Sequence, residues 1–450
     1  MYEHSGLLTD LYELTMAAGY LQTRFEARAT FELFVRHLPA QRNYLVAAGL
    51  EQGIDFLEHV HFAPQEIRFL REHPVFRNIR DDFFDYLAKF RFTGDVWAVP
   101  EGTLVFPGEP MLRVTAPIIE GQIMETYLLA TLSYQTMIAS KAARVVTAAQ
   151  GRQVVEFGAR RAHGSDSSLF AARASAIGGC IGTSNVLAGQ LFGMQTYGTQ
   201  AHSWVMAHDD ESEAFGRFLE AFPNDAILLL DTYDVRAAVE KIISAGRRPA
   251  GVRLDSGDLA KDSQWVRQQL DRAGWKEVKI FASGDLDECK IAELVEKGAA
   301  IDAFGVGTAL ATPGDAPHLN LIYKLVEVER GGKTREAAKL SQAKVTYPGR
   351  KQAFRYSDAE GQFESDRIAL DAEPANGGEP LLVEVMRGGR RLQAAEGIDA
   401  LRARCLSGLA RLPRRYRQID RSAVYPVAHS KRLEAMLDKV RRRVRRAAAR

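Results

Sequence analysis

Residues 226–308 carry four apolar runs at near-equal spacing: A-I-L-L-L-D-T-Y-D (226–234), G-V-R-L-D-S-G-D (251–258), V-K-I-F-A-S-G-D (278–285) and A-F-G-V-G-T (303–308). Their starts lie about 25 residues apart, the length of a strand plus a returning helix. The segments between them are amphipathic. Val235, Ala238, Val239, Ile242 and Ile243 make one stripe that Gly246 stops, and Ile291, Leu294 and Val295 repeat the scheme up to Gly298. Serial strand–helix units of this kind predict a parallel sheet covered by helices.

Working outward, three more runs lie upstream: V-V-E-F-G-A-R-R (154–161), C-I-G-T-S-N (180–185) and Y-G-T-Q-A-H-S (197–203). All seven end in small, charged or hydroxylated residues. Polar groups at successive strand exits are how an α/β barrel assembles one site from many loops. Before the array, residues 92–117 have short apolar runs broken by Gly and Pro, a small antiparallel β unit, and a long helical pattern runs from about Ile118 to Ala149. After Leu321 the pattern returns to strands and turns, including a hairpin at Pro348–Gly349. The last fifty residues read as helical, with Leu433, Met436, Leu437, Val440 and Val444 on one face. The expected fold is therefore α/β: an irregular TIM-like barrel over residues 118–320, a discontinuous β-rich second domain from 1–117 and 321–400, and a helical C-terminal tail over 401–450.

Composition narrows the class. Of 450 residues, 46% are hydrophobic and 26% charged, and the net charge is +2, so nothing draws the chain to nucleic acid or membrane in bulk. The basic run near the end reads as a solvated helix face. No apolar stretch has the roughly 18–20 residues of a membrane span, and the first ten residues lack the pattern of a signal peptide. Cys180, Cys289 and Cys405 are far apart and odd in number, which suits a reducing cytoplasm better than disulfides or a thiolate metal site.

Among ten histidines, His202 follows a Gly-Thr turn at a strand exit, where an imidazole can shuttle protons or act as a nucleophile. His59 and His61 read as surface residues. Asp231 and Asp255 end strands, where carboxylates hold Mg²⁺ or ribose hydroxyls or orient a histidine, and Asp258 fits a helix N-cap better. Arg160, Arg161 and Arg253 offer guanidinium forks to an anionic substrate. The turns at Ser283–Gly284 and Gly307–Thr308, on consecutive late strands, suit a phosphate. No Walker-type G-x-x-x-x-G-K-[ST] loop occurs, so ATP would bind by another route.

The ordered set L-L-T-D-L-Y-E-L-T-M-A-A-G-Y (7–20), E-F-G-A-R-R-A-H-G, G-T-S-N-V-L-A-G, G-T-Q-A-H-S-W, D-T-Y-D, G-V-R-L-D-S-G-D-L and G-V-G-T resembles nicotinate phosphoribosyltransferase, of the type II phosphoribosyltransferases, over about residues 6–330. The cysteine zinc site of some relatives has no counterpart. The resemblance implies synthesis of nicotinate mononucleotide and pyrophosphate from nicotinate and phosphoribosyl pyrophosphate, the first step of NAD salvage from nicotinate, by an ATP-dependent ligase. It further implies Mg²⁺, ATP as co-substrate and His202 as a phosphohistidine. Phe157 would stack on the pyridine ring. Arg160 and Arg253 would line the nicotinate and ribose–phosphate region, with Arg161 close by. Asp231 and Asp255 would face ribose, Mg²⁺ or His202, and Ser283, Gly284, Gly307 and Thr308 would cradle the 5′-phosphate. In a homodimer with shared sites, Tyr12 would reach the ring from the neighbouring subunit. Relatives that use nicotinamide carry a carboxylate where this chain has Ser184, so the uncharged serine favours the acid. The alternatives are a nicotinamide- or quinolinate-specific transferase and a non-catalytic barrel that senses phosphoribosyl or nucleotide ligands.

Overall fold

The computed structural model describes residues 4–341 and 344–448. Residues 1–3, at the start of the stretch read for a leader, and 449–450, at the end of the predicted tail, lie outside the described residues. Six parallel strands form one sheet in the order Gly182–Thr183, Gln153–Glu156, Ala303–Val306, Lys279–Ala282, Gly251–Leu254, Ile227–Leu229. This is the cyclic order expected when each strand is laid beside its predecessor by a right-handed crossover. The wall closes between its two edge strands through residues 195–200. Thr183 donates to the Gln195 carbonyl (3.1 Å) and accepts from the Tyr197 N–H (2.9 Å), while the Gln200 N–H reaches the Ile227 carbonyl (3.0 Å). The Gln200 side chain, almost fully buried, adds a bond from the Leu229 N–H (3.1 Å). All seven expected strand ends are therefore staves of one barrel. The third is irregular because a side chain does part of the pairing that backbone does elsewhere.

The helices over the regular half begin where the sequence caps them. Asp234, Asp258 and Asp287 each accept a backbone N–H three residues on, opening Val235–Ser244, Leu259–Arg272 and Glu288–Glu296. Gly246 and Gly298, at φ 66° and 69°, end the first and last of them. Val239, Ile242, Val252, Leu254, Val266 and Ile280 share one apolar cluster, the predicted stripe packed on the predicted strands.

The second domain draws on both ends of the chain. Its seven-stranded sheet runs Lys333–Glu336, Leu321–Arg330, Arg28–Val35, Pro110–Pro117, Asp95–Ala98, Val383–Arg387, Arg390–Arg391. Arg28–Val35 sits between an early and a late strand, antiparallel to both. Three expectations need correction. The 118–149 helix is two helices, Ile118–Ile123 and Glu125–Ala148, meeting at Met124. Pro348–Gly349 is not a hairpin: the Gly349 N–H goes to Val326, and Lys351–Ser357 turns back on Phe363–Leu370 through residues 358–362. The tail is not helical throughout, because Val427–His429 pairs in parallel with Phe363–Leu370 before the last helix, Lys431–Ala448. That helix buries Leu433, Leu437 and Val440 but leaves Val444 exposed. Among the described residues, no helix is long and apolar enough to cross a membrane.

Candidate active site

At the C-terminal rim one hydrogen-bonded cluster is built on the 251–254 strand. Arg253 pairs across the sheet with Leu229 and Phe281, so its side chain emerges between two neighbouring exits. Its guanidinium donates from Nε to Ser283 Oγ (2.7 Å), from Nη1 to Thr199 Oγ1 (2.9 Å) and from Nη2 to Asp255 Oδ1. Ser283 Oγ also donates to Asp255 Oδ1 (2.5 Å). Burial alone would raise the Asp255 carboxyl. The Ser283 hydroxyl, the Arg253 guanidinium and the nearby His202 ring outweigh it and hold the group below the usual carboxylate range. Ser283 is therefore a buried support for Arg253 and Asp255, its hydroxyl already engaged.

His202 begins the short helix His202–Met206 directly after the closing stave. Its Nδ1 lies 3.2 Å from Thr232 Oγ1 and its Nε2 3.7 Å from Asp255 Oδ2. The ring is 43% exposed. Asp231 Oδ2 accepts the Asp255 N–H (3.0 Å) and the Ser256 hydroxyl (2.5 Å). Asp231 Oδ1 is buried without a hydrogen-bond partner among the described residues. A lone buried carboxylate oxygen beside a second carboxylate is chemistry that a hard cation satisfies. Asp258 caps its helix, as expected.

The other half of the rim holds Phe157 and Ser184. Phe157 lies over Gly305 on the adjacent strand, where a Cβ would come within 2.5 Å of the ring, so the glycine makes room for the aromatic. The Ser184 N–H donates to the Glu156 carbonyl (2.9 Å), holding G-T-S-N against the strand that carries Phe157. Glu156, fully buried, ties these loops from below. Its carboxylate accepts the Thr183 hydroxyl (2.5 Å) and the Gly158 N–H, and Thr183 Oγ1 in turn accepts from the Asn185 N–H (2.9 Å). Arg160 and Arg161 are exposed in the turn Ala159–Arg161, with no side-chain partner among the described residues. The turns at Ser283–Gly284 and Gly307–Thr308 end directly paired strands. Gly284, at φ 94°, is indispensable to the first, since a Cβ there would meet the Asp255 carbonyl at 1.9 Å.

Tyr12 makes no contact with this group among the described residues. It is 46% exposed on helix Leu11–Gln22, beside Glu13 and Glu125. Sequence reading missed Glu156, Thr183, Thr199 and Thr232. Each lies inside a motif that was singled out, but only the sheet register shows which neighbour its side chain meets. A hollow of ≈ 720 Å³ lined by Tyr20, Phe25, Arg80 and Tyr86 shares no residue with the rim set.

Residues 7–133, 152–364 and 375–437 match models described as the nicotinate phosphoribosyltransferase (NAPRTase) N-terminal domain, the nicotinate phosphoribosyltransferase (NAPRTase) family and the nicotinate phosphoribosyltransferase C-terminal domain. The chain is 46% identical to nicotinate phosphoribosyltransferase pncB2 of Mycobacterium tuberculosis, over 98% of this chain and 95% of that one. It is 42% identical to the Bacillus subtilis nicotinate phosphoribosyltransferase, over 82% and 77%. The crystal structure of human nicotinic acid phosphoribosyltransferase superposes with a TM-score of 0.83 at 30% identity, covering 96% of this chain and 99% of that one.

Proposed function

The chain belongs to the nicotinate phosphoribosyltransferase family, and from that premise we propose that it joins nicotinate to the ribose of phosphoribosyl pyrophosphate, forming nicotinate mononucleotide and pyrophosphate. The observation that carries the reading is the convergence on one rim of Phe157 and Ser184, of His202, Asp231, Asp255 and Arg253, and of two adjacent glycine turns. The pyridine nitrogen forms a bond to ribose C1′ as the bond from C1′ to the pyrophosphate oxygen breaks, and the electron pair leaves with pyrophosphate. Phe157 offers a face for the ring, Arg160 and Arg161 have donors free for its carboxylate, and Ser184 adds no charge to repel it. Asp231 and Asp255 would hold Mg²⁺, which, when bound, neutralises charge on the leaving pyrophosphate. Arg253, pinned on three sides, presents a fixed cation to the anionic substrate at no further ordering cost. The Ser283 N–H is taken by the Leu254 carbonyl (2.9 Å), so the backbone N–H groups of Gly284, Gly307 and Thr308 would receive the 5′-phosphate.

The ATP-coupled, ligase-class form of the reaction extends this proposal. The γ-phosphoryl of ATP moves to the His202 imidazole with release of ADP, and water later takes it as inorganic phosphate. The exposed apolar residues Leu8, Leu11, Tyr12 and Met16 support a homodimer in which Tyr12 completes the partner's ring site. Three free cysteines fit a reducing compartment, and we assign the enzyme to the cytoplasm.

Turnover with nicotinate, nicotinamide and quinolinate tests the substrate assignment. Mononucleotide should form from nicotinate, with ATP stimulation, and formation from another ring but not from nicotinate would overturn it. The His202→Ala variant should lose ATP stimulation and acid-labile phosphate while keeping a slow ATP-independent synthesis. Undiminished ATP coupling in that variant would sink the phosphohistidine role.

A further inference from the structure

Away from the barrel rim, the N-terminal segment crosses the end of helix Leu50–His59. Ser5 bridges to His61, the Gly6 N–H donates to the His61 carbonyl (2.8 Å) and the His61 N–H donates to the His4 carbonyl (3.1 Å). This pairing carries the His4 side chain over the helix, where Asp55 and His59 stand four residues apart on one face. His4 Nε2 lies 2.7 Å from Asp55 Oδ2, and His59 Nδ1 lies 2.8 Å from the Asp55 carbonyl and 3.3 Å from Asp55 Oδ1. The two imidazole centroids are 4.9 Å apart. One ligand atom from each of His4, Asp55 and His59 falls within 4.8 Å of the others, the one such trio among the described residues. The two histidines, which read from sequence as surface residues, thus have different surroundings: His59 belongs to a cluster, and His61 supplies backbone that holds His4 in place.

We propose that His4, Asp55 and His59 bind a divalent transition-metal ion of the Zn²⁺ class. First-row ions take imidazole nitrogen and carboxylate oxygen at about 2.0–2.2 Å, so a small spreading of this trio accommodates one ion, with water filling the remaining position. Two neutral imidazoles and one carboxylate leave a single negative charge, a set that suits Zn²⁺, Ni²⁺ or Cu²⁺ and is a poor match for the hard Mg²⁺ expected at the rim. An i, i+4 pair on a helix fixes two ligands in advance. The third comes from 51 residues away in sequence, so the ion would clip the start of the chain to helix Leu50–His59. Helix Leu11–Gln22, with Tyr12, begins seven residues after His4. The site is distinct from the transferase rim, and its fate is independent of that assignment.

The test uses the full-length protein, stripped with a chelator and titrated with Co²⁺ as a coloured stand-in for Zn²⁺. One equivalent should bind with visible ligand-field bands that Zn²⁺ displaces and excess Mg²⁺ does not. Zn²⁺ should also raise the thermal midpoint. Binding should weaken at least tenfold in His59→Ala and in Asp55→Asn, both exposed positions whose replacement leaves the fold intact, and should persist in His202→Ala. Bands that survive unchanged in His59→Ala and Asp55→Asn, or that vanish in His202→Ala, would overturn the proposal. So would the absence of any ion binding that Mg²⁺ cannot displace.

Discussion

At the scale of single residues, the barrel rim works by using some side chains to immobilise others. Thr199 touches no expected ligand position but accepts one of the three bonds that fix Arg253. In Thr199→Val the shape is kept and a guanidinium N–H on a side chain only 12% exposed loses its partner. Such a loss costs about 1–3 kcal/mol, so kcat/KM for phosphoribosyl pyrophosphate should fall about tenfold or more. An unchanged kcat/KM would mean that Arg253 needs no such restraint. The sequence showed Asp231 and Asp255 because each follows directly on an apolar run, Arg253 because it sits within one, and His202 because it follows a Gly-Thr turn at a strand exit. It could not show Thr199 or Thr232, because a threonine in a turn looks alike whether it meets solvent or a partner on the next strand. Nor could it show that the Ser283 hydroxyl is shared between Arg253 and Asp255, since the glycine-flanked turn carries no sign of those partners.

At the scale of elements, regular strand–helix units were legible and irregular pieces were not. Asp caps and glycine stops fix the ends of the helices between 235 and 298, and period-based reading locates those helices directly. The stave at 195–200 has no such pattern, because Gln200 replaces part of its ladder. The Pro348–Gly349 turn misled because a chain reversal is locally alike whether it joins two paired strands or only leads into one. Helix Leu11–Gln22 carries its own pH response. Burial is the main force pushing the Glu13 carboxyl up to about 7, Glu125 and Asp10 add to it, and the Thr9 and Thr126 hydroxyls oppose it. A carboxyl raised in this way contributes stability that is full below its unfolded pKa of about 4.5 and is lost as pH rises through about 7. Glu13→Gln removes that titration. The thermal midpoint of the parent should therefore fall relative to the variant between pH 5 and pH 8, and parallel profiles over that range would refute the assignment.

At the scale of the whole molecule, the second domain is locked to the barrel by buried ion pairs as well as by packing. Glu101, next to the 95–98 and 104–105 strands, receives both Arg173 nitrogens (2.8 and 2.7 Å) from barrel helix Ser165–Ile177. It also accepts the Gly49 N–H (2.5 Å) at the start of helix Leu50–His59. Burial would raise this carboxyl, yet Arg173 and the backbone donors hold it below the usual range. Removing one member of a buried pair costs about 3–5 kcal/mol, so Arg173→Met should lower the unfolding free energy by that order, and Glu101→Gln on the same background should recover part of it. A loss under about 1 kcal/mol would show the clamp to be dispensable. The return of the chain into the seven-stranded sheet was foreseeable from the change of period after Leu321. The clamp was not, since neither partner stands out in sequence. Of the barrel's seven staves, the one that delivers His202 is spliced in by a few separate bonds, whereas the other six share continuous ladders. Local opening is cheapest where cooperative pairing is thinnest. The histidine therefore follows the stave joined to its neighbours by the fewest ladder bonds, while Arg253, Asp255 and the two glycine turns sit on or directly after strands of the continuous sheet.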